Sequence, residues 1–156
     1  MISVTHILKI INDPSLQEFK ESVGIGRFES IMNRAAIFGT SNHKIFENYI
    51  LRREISKFDD AIEDQRLKHE IFIRYKEWYD RNVSEDIYVE HEFKNEALGY
   101  IGHPDHIIRN VKGKVVLIDW KFVAELQRQH YYQVAAYEHF FPKGYVDEVV
   151  LILEYG

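Results

Sequence analysis

Cysteine is absent from this 156-residue chain, which excludes disulfides, thiol catalysis and Cys-ligated zinc. No apolar run approaches the ~20 residues that span a bilayer. The N-terminus lacks the charged and apolar regions of a signal peptide, and acidic residues begin by Asp13, which argues against an organellar presequence. Repeats, linkers and low-complexity segments are missing as well, so one domain over residues 1–156 is expected, long enough for a real core. An intracellular, cytoplasmic protein with no membrane partner follows by default. A strong basic excess is also lacking. The net charge is −5, which taken globally argues mildly against non-specific DNA binding. Its distribution softens this, because residues 103–143 hold six Lys or Arg against four Asp or Glu, a local +2. Aromatic side chains, by contrast, are abundant, with ten Tyr, ten Phe and two Trp.

The most informative stretch is Gly99–Lys121. Two apolar, β-branched runs flank Lys112-Gly113, predicting an antiparallel hairpin with arms 97–110 and 114–121. Residues two apart on a strand share a face. Asp119 and Lys121 should therefore project together, above Val115 and Leu117. Val116 and Ile118 make the opposite face apolar too, so this strand should be buried on both sides. A strand that dry holds a carboxylate and an ammonium only for a reason. Asp105, on the neighbouring arm, is the third candidate. Two carboxylates and a lysine at a strand end suit metal-assisted phosphodiester hydrolysis. The carboxylates would hold a divalent cation, and the lysine would position water or neutralise developing charge.

The order Gly102-x-x-Asp105, Ile118-Asp119-x-Lys121, then helical Gln133-x-x-x-Tyr137, resembles the PD-(D/E)XK nuclease superfamily and, through the last pair, its RecB-like exonuclease branch. Upstream, Gly39-Thr40-x-x-His43-x-x-x-Glu47 resembles that branch's histidine motif. Val4-Thr5-x-Ile7-Leu8 with Asp13-Pro14-Ser15-Leu16 is similar to the opening of phage-type and mitochondrial genome-maintenance exonucleases. The resemblance implies that Asp105, Asp119, the Trp120 backbone carbonyl and His43 hold Mg²⁺ or Mn²⁺, with Lys121 orienting the attacking water. It further implies that Gln133, Tyr137 and Glu47 brace the site or contact substrate, and it brings in Glu92, since family members often carry an acidic residue there. An imidazole ligand would favour Mn²⁺, and protonation near ~6.5 would remove its lone pair. Phe122 departs from the hydroxyl residue usual after the lysine, and the lack of cysteine excludes the iron–sulfur cluster that some members carry.

Local signals fill in the rest. Ser3 and Thr5 suit the start of a short helix over 3–12, and Asp13-Pro14 restarts a helix ending near Gly24–Gly26. A third helix is expected over 27–38 with Phe28, Ile31, Met32, Ala35 and Ala36 buried. Gly39–Asn42 should break it and cap the next, which would run through 44–80 with a break near 56–60. The acidic run Glu54, Asp59, Asp60, Glu63 and Asp64 reads as a solvated face. Residues 86–94 read as a strand, 126–140 as a helix with Gln129, Gln133 and Tyr137 on one face, and 146–154 as a final strand. His6, His69, His91, His103, His106, His130 and His139 read as structural or surface residues.

The fold expected is α/β. N-terminal helices (1–82) precede a small mixed sheet with a crossover helix (86–156), the restriction-endonuclease-like core. The function expected is a metal-dependent DNA exonuclease on single-stranded or end-containing DNA, with a homo-oligomer or protein partner completing the DNA channel. The alternatives are a structure-specific endonuclease or RNase, and a non-catalytic nucleic-acid-binding or assembly protein on the same scaffold.

Overall fold

The computed structural model describes residues 1–9, 14–52 and 62–154. The expected cap Asp13, the expected break near 56–60 and the acids Glu54, Asp59 and Asp60 lie outside them. Strand β1 (Ile2–Ser3) leads into α1 (Val4–Leu8), which Ser3 caps by accepting the His6 amide on Oγ at 3.2 Å. Helix α2 (Pro14–Val23) starts on the proline, where a missing N–H costs nothing. It stops at Gly24, whose φ of +84° favours glycine. Helix α3 (Ile25–Ile50) begins at once, and α4 (Ile62–Asn82) completes the helical part.

Helix α3 corrects two expectations. It runs unbroken through Gly39–Asn42, because the polar groups there bond within the helix instead of capping a new one. Asn42 Nδ2 donates to the Phe38 carbonyl at 2.8 Å, and Ser41 and Asn42 are buried. Burial of this segment overrides its weak helix propensity. The buried face also begins later than expected. Phe28 is half-buried and Ile31, Met32, Ala35 and Ala36 are exposed, whereas Phe38, Ile45, Phe46 and Ile50 enter the core.

The remaining elements are β2 (Val83–Val89), β3 (Phe93–Asn95), β4 (Tyr100–Gly102), β5 (His106–Asn110), β6 (Val115–Lys121), α5 (Arg128–Glu138) and β7 (Glu148–Leu153). Among the described residues the chain is thus mixed α/β, with five helices and two mixed sheets. The four-stranded sheet has the order β2-β5-β6-β7. Its β5–β6 pair is the antiparallel hairpin expected, with Arg109 opposite Val115 and His106 opposite Ile118. Gly113 turns it at φ +82°, and Asn110 Oδ1 accepts the amides of Lys112 and Lys114, both at 3.0 Å. Helix α5 then crosses over so that β7 pairs parallel to β6.

A second, three-stranded sheet, β1-β4-β3, was not expected. It arises because the first hairpin arm divides at His103-Pro104-Asp105. Proline has no N–H for a ladder, so Tyr100–Gly102 joins one sheet and His106–Asn110 the other. The strand expected over 86–94 divides likewise at Glu90, which takes φ +49°. No helix among the described residues is long and apolar enough to cross a membrane.

Strand β6 separates two cores. Val116, Ile118 and Trp120 pack with Phe38, Phe46, Ile71 and Tyr75 from α3 and α4, where the Phe46 and Tyr75 rings stack at 3.7 Å. Val115 and Leu117 pack on the other face with Val4, Tyr100, Ile107, Val134 and Tyr137. Burying each such side chain contributes about 1.5–3 kcal/mol relative to leaving it exposed. Asp119 and Lys121 continue the second face, where the apolar filling stops and a cleft opens.

Candidate active site

The strand's alternation sets the first two groups of the site. Lys121 Nζ lies 2.7 Å from Asp119 Oδ2. That oxygen is buried, and the Lys121 ammonium is its near neighbour. Only 2% of the Asp119 side chain and 14% of that of Lys121 reach solvent. Lys121 also donates to Gln133 Oε1 at 2.6 Å, and Gln133 Nε2 donates to Tyr137 Oη at 2.9 Å. Gln133 and Tyr137 stand one turn apart on α5, so the helix holds the ammonium in place through a short polar chain.

Asp105 occupies the break between β4 and β5. Its Oδ2 accepts the Trp120 amide at 2.7 Å and faces His43 Nε2 at 3.3 Å. This brings His43, midway along α3 and 62 positions earlier, onto the same carboxylate. His43 Nδ1 donates to the Gly39 carbonyl at 2.9 Å, leaving Nε2 as the nitrogen that faces the cleft. Burial pulls this imidazole down. The Asp105 carboxylate and the Gly39 carbonyl outweigh it and carry the group from 6.5 up to about 9. The expectation of titration near 6.5 is therefore corrected: without a cation, His43 is an imidazolium paired to Asp105.

Glu90 also enters the cleft. Sequence parity puts Glu90 and Glu92 on one strand face, but the φ +49° backbone at Glu90 ends that strand. Glu90 turns inward, with its amide donating to the Asp105 carbonyl at 3.0 Å and its side chain lining the cleft with Asp105. Glu92 instead pairs with His103 at 3.3 Å on the exposed rim and is not among the cleft residues. A positive φ at a non-glycine residue is a local cost that functional sites tolerate. No pattern in the sequence announces it.

The three carboxyls divide the charge among them. Burial opposes ionisation of Asp105, but His43, the Trp120 amide and Lys121 hold it below the ordinary carboxylate range. Burial, and then the Asp105 charge, push Glu90 up to about 9 and Asp119 up to about 7. Asp105 is thus the ionised member, and burial with its charge draws Glu90 and Asp119 toward their protonated forms, a pull that a bound cation would oppose. Among the described residues no three His, Asp or Glu groups stand in an arrangement that could hold a metal ion as they are. The donor chemistry nonetheless fits one: hard carboxylate oxygens, an imidazole nitrogen facing in, and Asp119 Oδ2 buried beside the Lys121 ammonium.

These groups line one cleft of about 660 Å³, together with Ser3, Val4, Thr5, Ala36, Gly39, Thr40, Lys44, Glu47, Gly102 and His103. Glu47 stands one helical turn after His43 and accepts from Lys44 at 3.3 Å. Trp120 is not among the lining residues, and its backbone reaches the site through the amide that donates to Asp105 at 2.7 Å. The structure so brings His43, Glu47, Asp105, Asp119, Trp120, Lys121, Gln133 and Tyr137 together, places Glu92 at the rim and adds Glu90. His106, by contrast, is fully buried outside the cleft and pairs with Asp86 at 2.8 Å.

Gly102 permits the closest approach at the site. A methyl group there would meet Tyr137 Cε1 at 2.7 Å and the Phe140 ring at 3.1 Å. Overpacking of this kind costs about 1–3 kcal/mol. Gly102→Ala is therefore expected to lower Tm by about 2–4 °C for each kcal/mol lost, and to displace the Tyr137–Gln133 support of Lys121. Calorimetry with a turnover assay checks both effects. An unchanged Tm would mean that the ring moves aside freely.

No family model matches this chain, and no curated protein does.

Proposed function

We propose that this protein is a divalent-metal-dependent DNA nuclease with a restriction-endonuclease-like core, an exonuclease acting on single-stranded or end-containing DNA. One observation carries the reading. Asp105, Asp119 and Lys121 meet at the buried end of β6, and His43 joins them from 62 positions away. A surface ion pair would need no such convergence, and its members would not be buried.

Asp105, Asp119, the Trp120 carbonyl and His43 would hold Mg²⁺ or Mn²⁺, with Glu90 lining the same cleft. The bound ion would polarise the phosphoryl oxygens and lower the pKa of a water nucleophile. The chain's own part is positional and electrostatic. The Lys121 ammonium, held by Gln133, points into the cleft where negative charge develops on the phosphate. Tyr137 fixes the Gln133 amide so that its oxygen faces Lys121. Gly39 fixes the His43 ring so that Nε2 faces Asp105. Phe122, in the place where the nuclease superfamily that the motifs resemble usually carries a hydroxyl, is buried against Phe46 and His43 and would pack the site instead of touching phosphate.

The deciding experiment incubates the protein with labelled linear DNA and covalently closed circular DNA of the same sequence, in Mg²⁺, Mn²⁺ or EDTA. Linear DNA should be reduced to short products in either ion, circles spared, and EDTA should abolish turnover. Activity that persists in chelator removes the metal mechanism, and efficient cutting of circles makes the protein an endonuclease. Binding without turnover would make it a nucleic-acid-binding protein on this scaffold.

A further inference from the structure

The three acids of the cleft leave the large sheet at one level. Val89, His106 and Ile118 stand side by side across β2, β5 and β6, with His106 paired to Val89 on one side and to Ile118 on the other. Both pairings are antiparallel, so the next residue beyond this row is Glu90 on β2, Asp105 on β5 and Asp119 on β6. The Glu90 amide carries the ladder one step further, onto the Asp105 carbonyl at 3.0 Å. Successive residues of a strand face opposite ways. Val89, His106 and Ile118 accordingly face the helical layer with Trp120, and the three acids face the cleft.

His106 is the polar member of its row. It is fully buried, its ring 5.9 Å from that of Trp120 and stacked on Tyr79 at 6.2 Å with 9° between the planes. Burying a polar ring costs free energy unless it is bonded, and the residues after it, Ile107 and Ile108, show that apolar side chains suit this strand. The compensating bonds run away from the cleft. His106 Nε2 donates to Asp86 Oδ1 at 2.8 Å, and Tyr79 Oη donates to the other oxygen of Asp86. One hydrogen-bonded chain thus ties α4, β2 and β5 together directly beneath the acids. Asp105 has use for such a tie. Pro104, just before it, brings no N–H to a ladder, so β5 reaches Asp105 only through His106.

We propose that His106 is a positioning residue for this site: held by Asp86 and Tyr79, it fixes the level at which Glu90, Asp105 and Asp119 leave the sheet, and with it the placing of the acids that receive the divalent cation. The cation's part rests on the nuclease reading, and the test separates the two. Amide hydrogen exchange is measured on metal-free protein at Trp120 and Glu90, whose N–H groups donate to Asp105, and at Leu117 in the middle of β6. Mn²⁺ affinity is measured by titration. His106→Leu fills the space without the bond, and His106→Gln keeps an N–H for Asp86. His106→Leu should speed exchange at Trp120 and Glu90 about ten-fold, as for one lost hydrogen bond to a charged group. Leu117 should be unchanged, Mn²⁺ should bind more weakly by a similar factor, and His106→Gln should restore both. Equal acceleration at all three amides would make His106 a packing residue and overturn the proposal. Unchanged exchange at Trp120 and Glu90 would do the same, as would unchanged Mn²⁺ affinity where wild type binds the ion. If His106→Leu does not fold, Tyr79→Phe, which removes only the outer bond, decides by the same comparison, with about a three-fold change expected. If the local changes occur but wild type neither binds Mn²⁺ nor cleaves DNA, the positioning role stands and the nuclease reading falls.

Discussion

Lys121→Ala is expected to fold normally and to lose about 10²–10³-fold in kcat, the range found when one preorganised stabiliser of developing charge is removed. Metal affinity should change little, because the ammonium is not a ligand. Its loss should appear in kcat and kcat/KM together, as for an interaction made only in the transition state. The structure adds a second expectation. Lys121 touches both Asp119 and Gln133, so its removal leaves Asp119 buried beside Asp105 with no cation near it. Asp119, already at about 7 through burial and the Asp105 charge, should then rise further. Single-turnover kinetics and Mn²⁺ titration test the assignment together. Near-normal kcat in the variant would reduce Lys121 to an ion-pair partner.

A loss at least as large should follow Asp105→Asn. This carboxylate grips the Trp120 amide, pairs with His43 and is a proposed ligand, so about 10²–10³-fold is a lower bound on the effect. The diagnostic change lies at His43. Without the carboxylate charge, burial is opposed only by the Gly39 carbonyl and the Glu90 charge, and the imidazole should fall from about 9. The stability consequence has a definite sign. The folded value lies above the unfolded one, so the contribution is whole below pH 6.5 and is lost as pH rises through about 9. Glu90 and Asp119 act in the same direction. The fold favours their protonated forms, and stability declines from their unfolded values of 4.5 and 3.8 up through about 9 and about 7. Metal-free protein should therefore melt at lower temperature at pH 8.5 than at pH 6, and Asp105→Asn should narrow that gap. An imidazole still titrating near 9 in the variant, followed by NMR, would show that Asp105 is not its partner.

The parts legible in the sequence are those where neighbouring residues decide the outcome. The alternation of Val115–Lys121 needs only period two, so the twin cores and the shared face of Asp119 and Lys121 could be read directly. The spacing of Gln133 and Tyr137 needs only a helical turn. Where a tertiary contact decides, the sequence pattern misleads. Gly39–Asn42 has the composition of a break, yet burial of Ser41 and Asn42 with the Asn42–Phe38 bond keeps it helical. Tyr88 to Glu92 has the alternation of a continuous strand, but the turn at Glu90 sends that residue inward and leaves Glu92 beside His103. The second sheet depends on Ser3 meeting Ile101, a pairing between distant segments.

The distances along the chain between the groups at the cleft bear on when it can first exist. His43 meets Asp105 across 62 positions, and Ser3 stands beside Ile101. Strand β6 has β5 as one neighbour and β7, at 148–153, as the other. A chain emerging from the ribosome can coil α3 locally, but it cannot close these long loops until the partner segments have been made. Lys121 meets Gln133 only after α5 is formed, and β6 stays uncovered on one edge until the parallel strand arrives. The groups of the cleft are therefore scattered throughout most of synthesis, and the nuclease activity proposed for them would have no site to act from until the later strands and helix have been made.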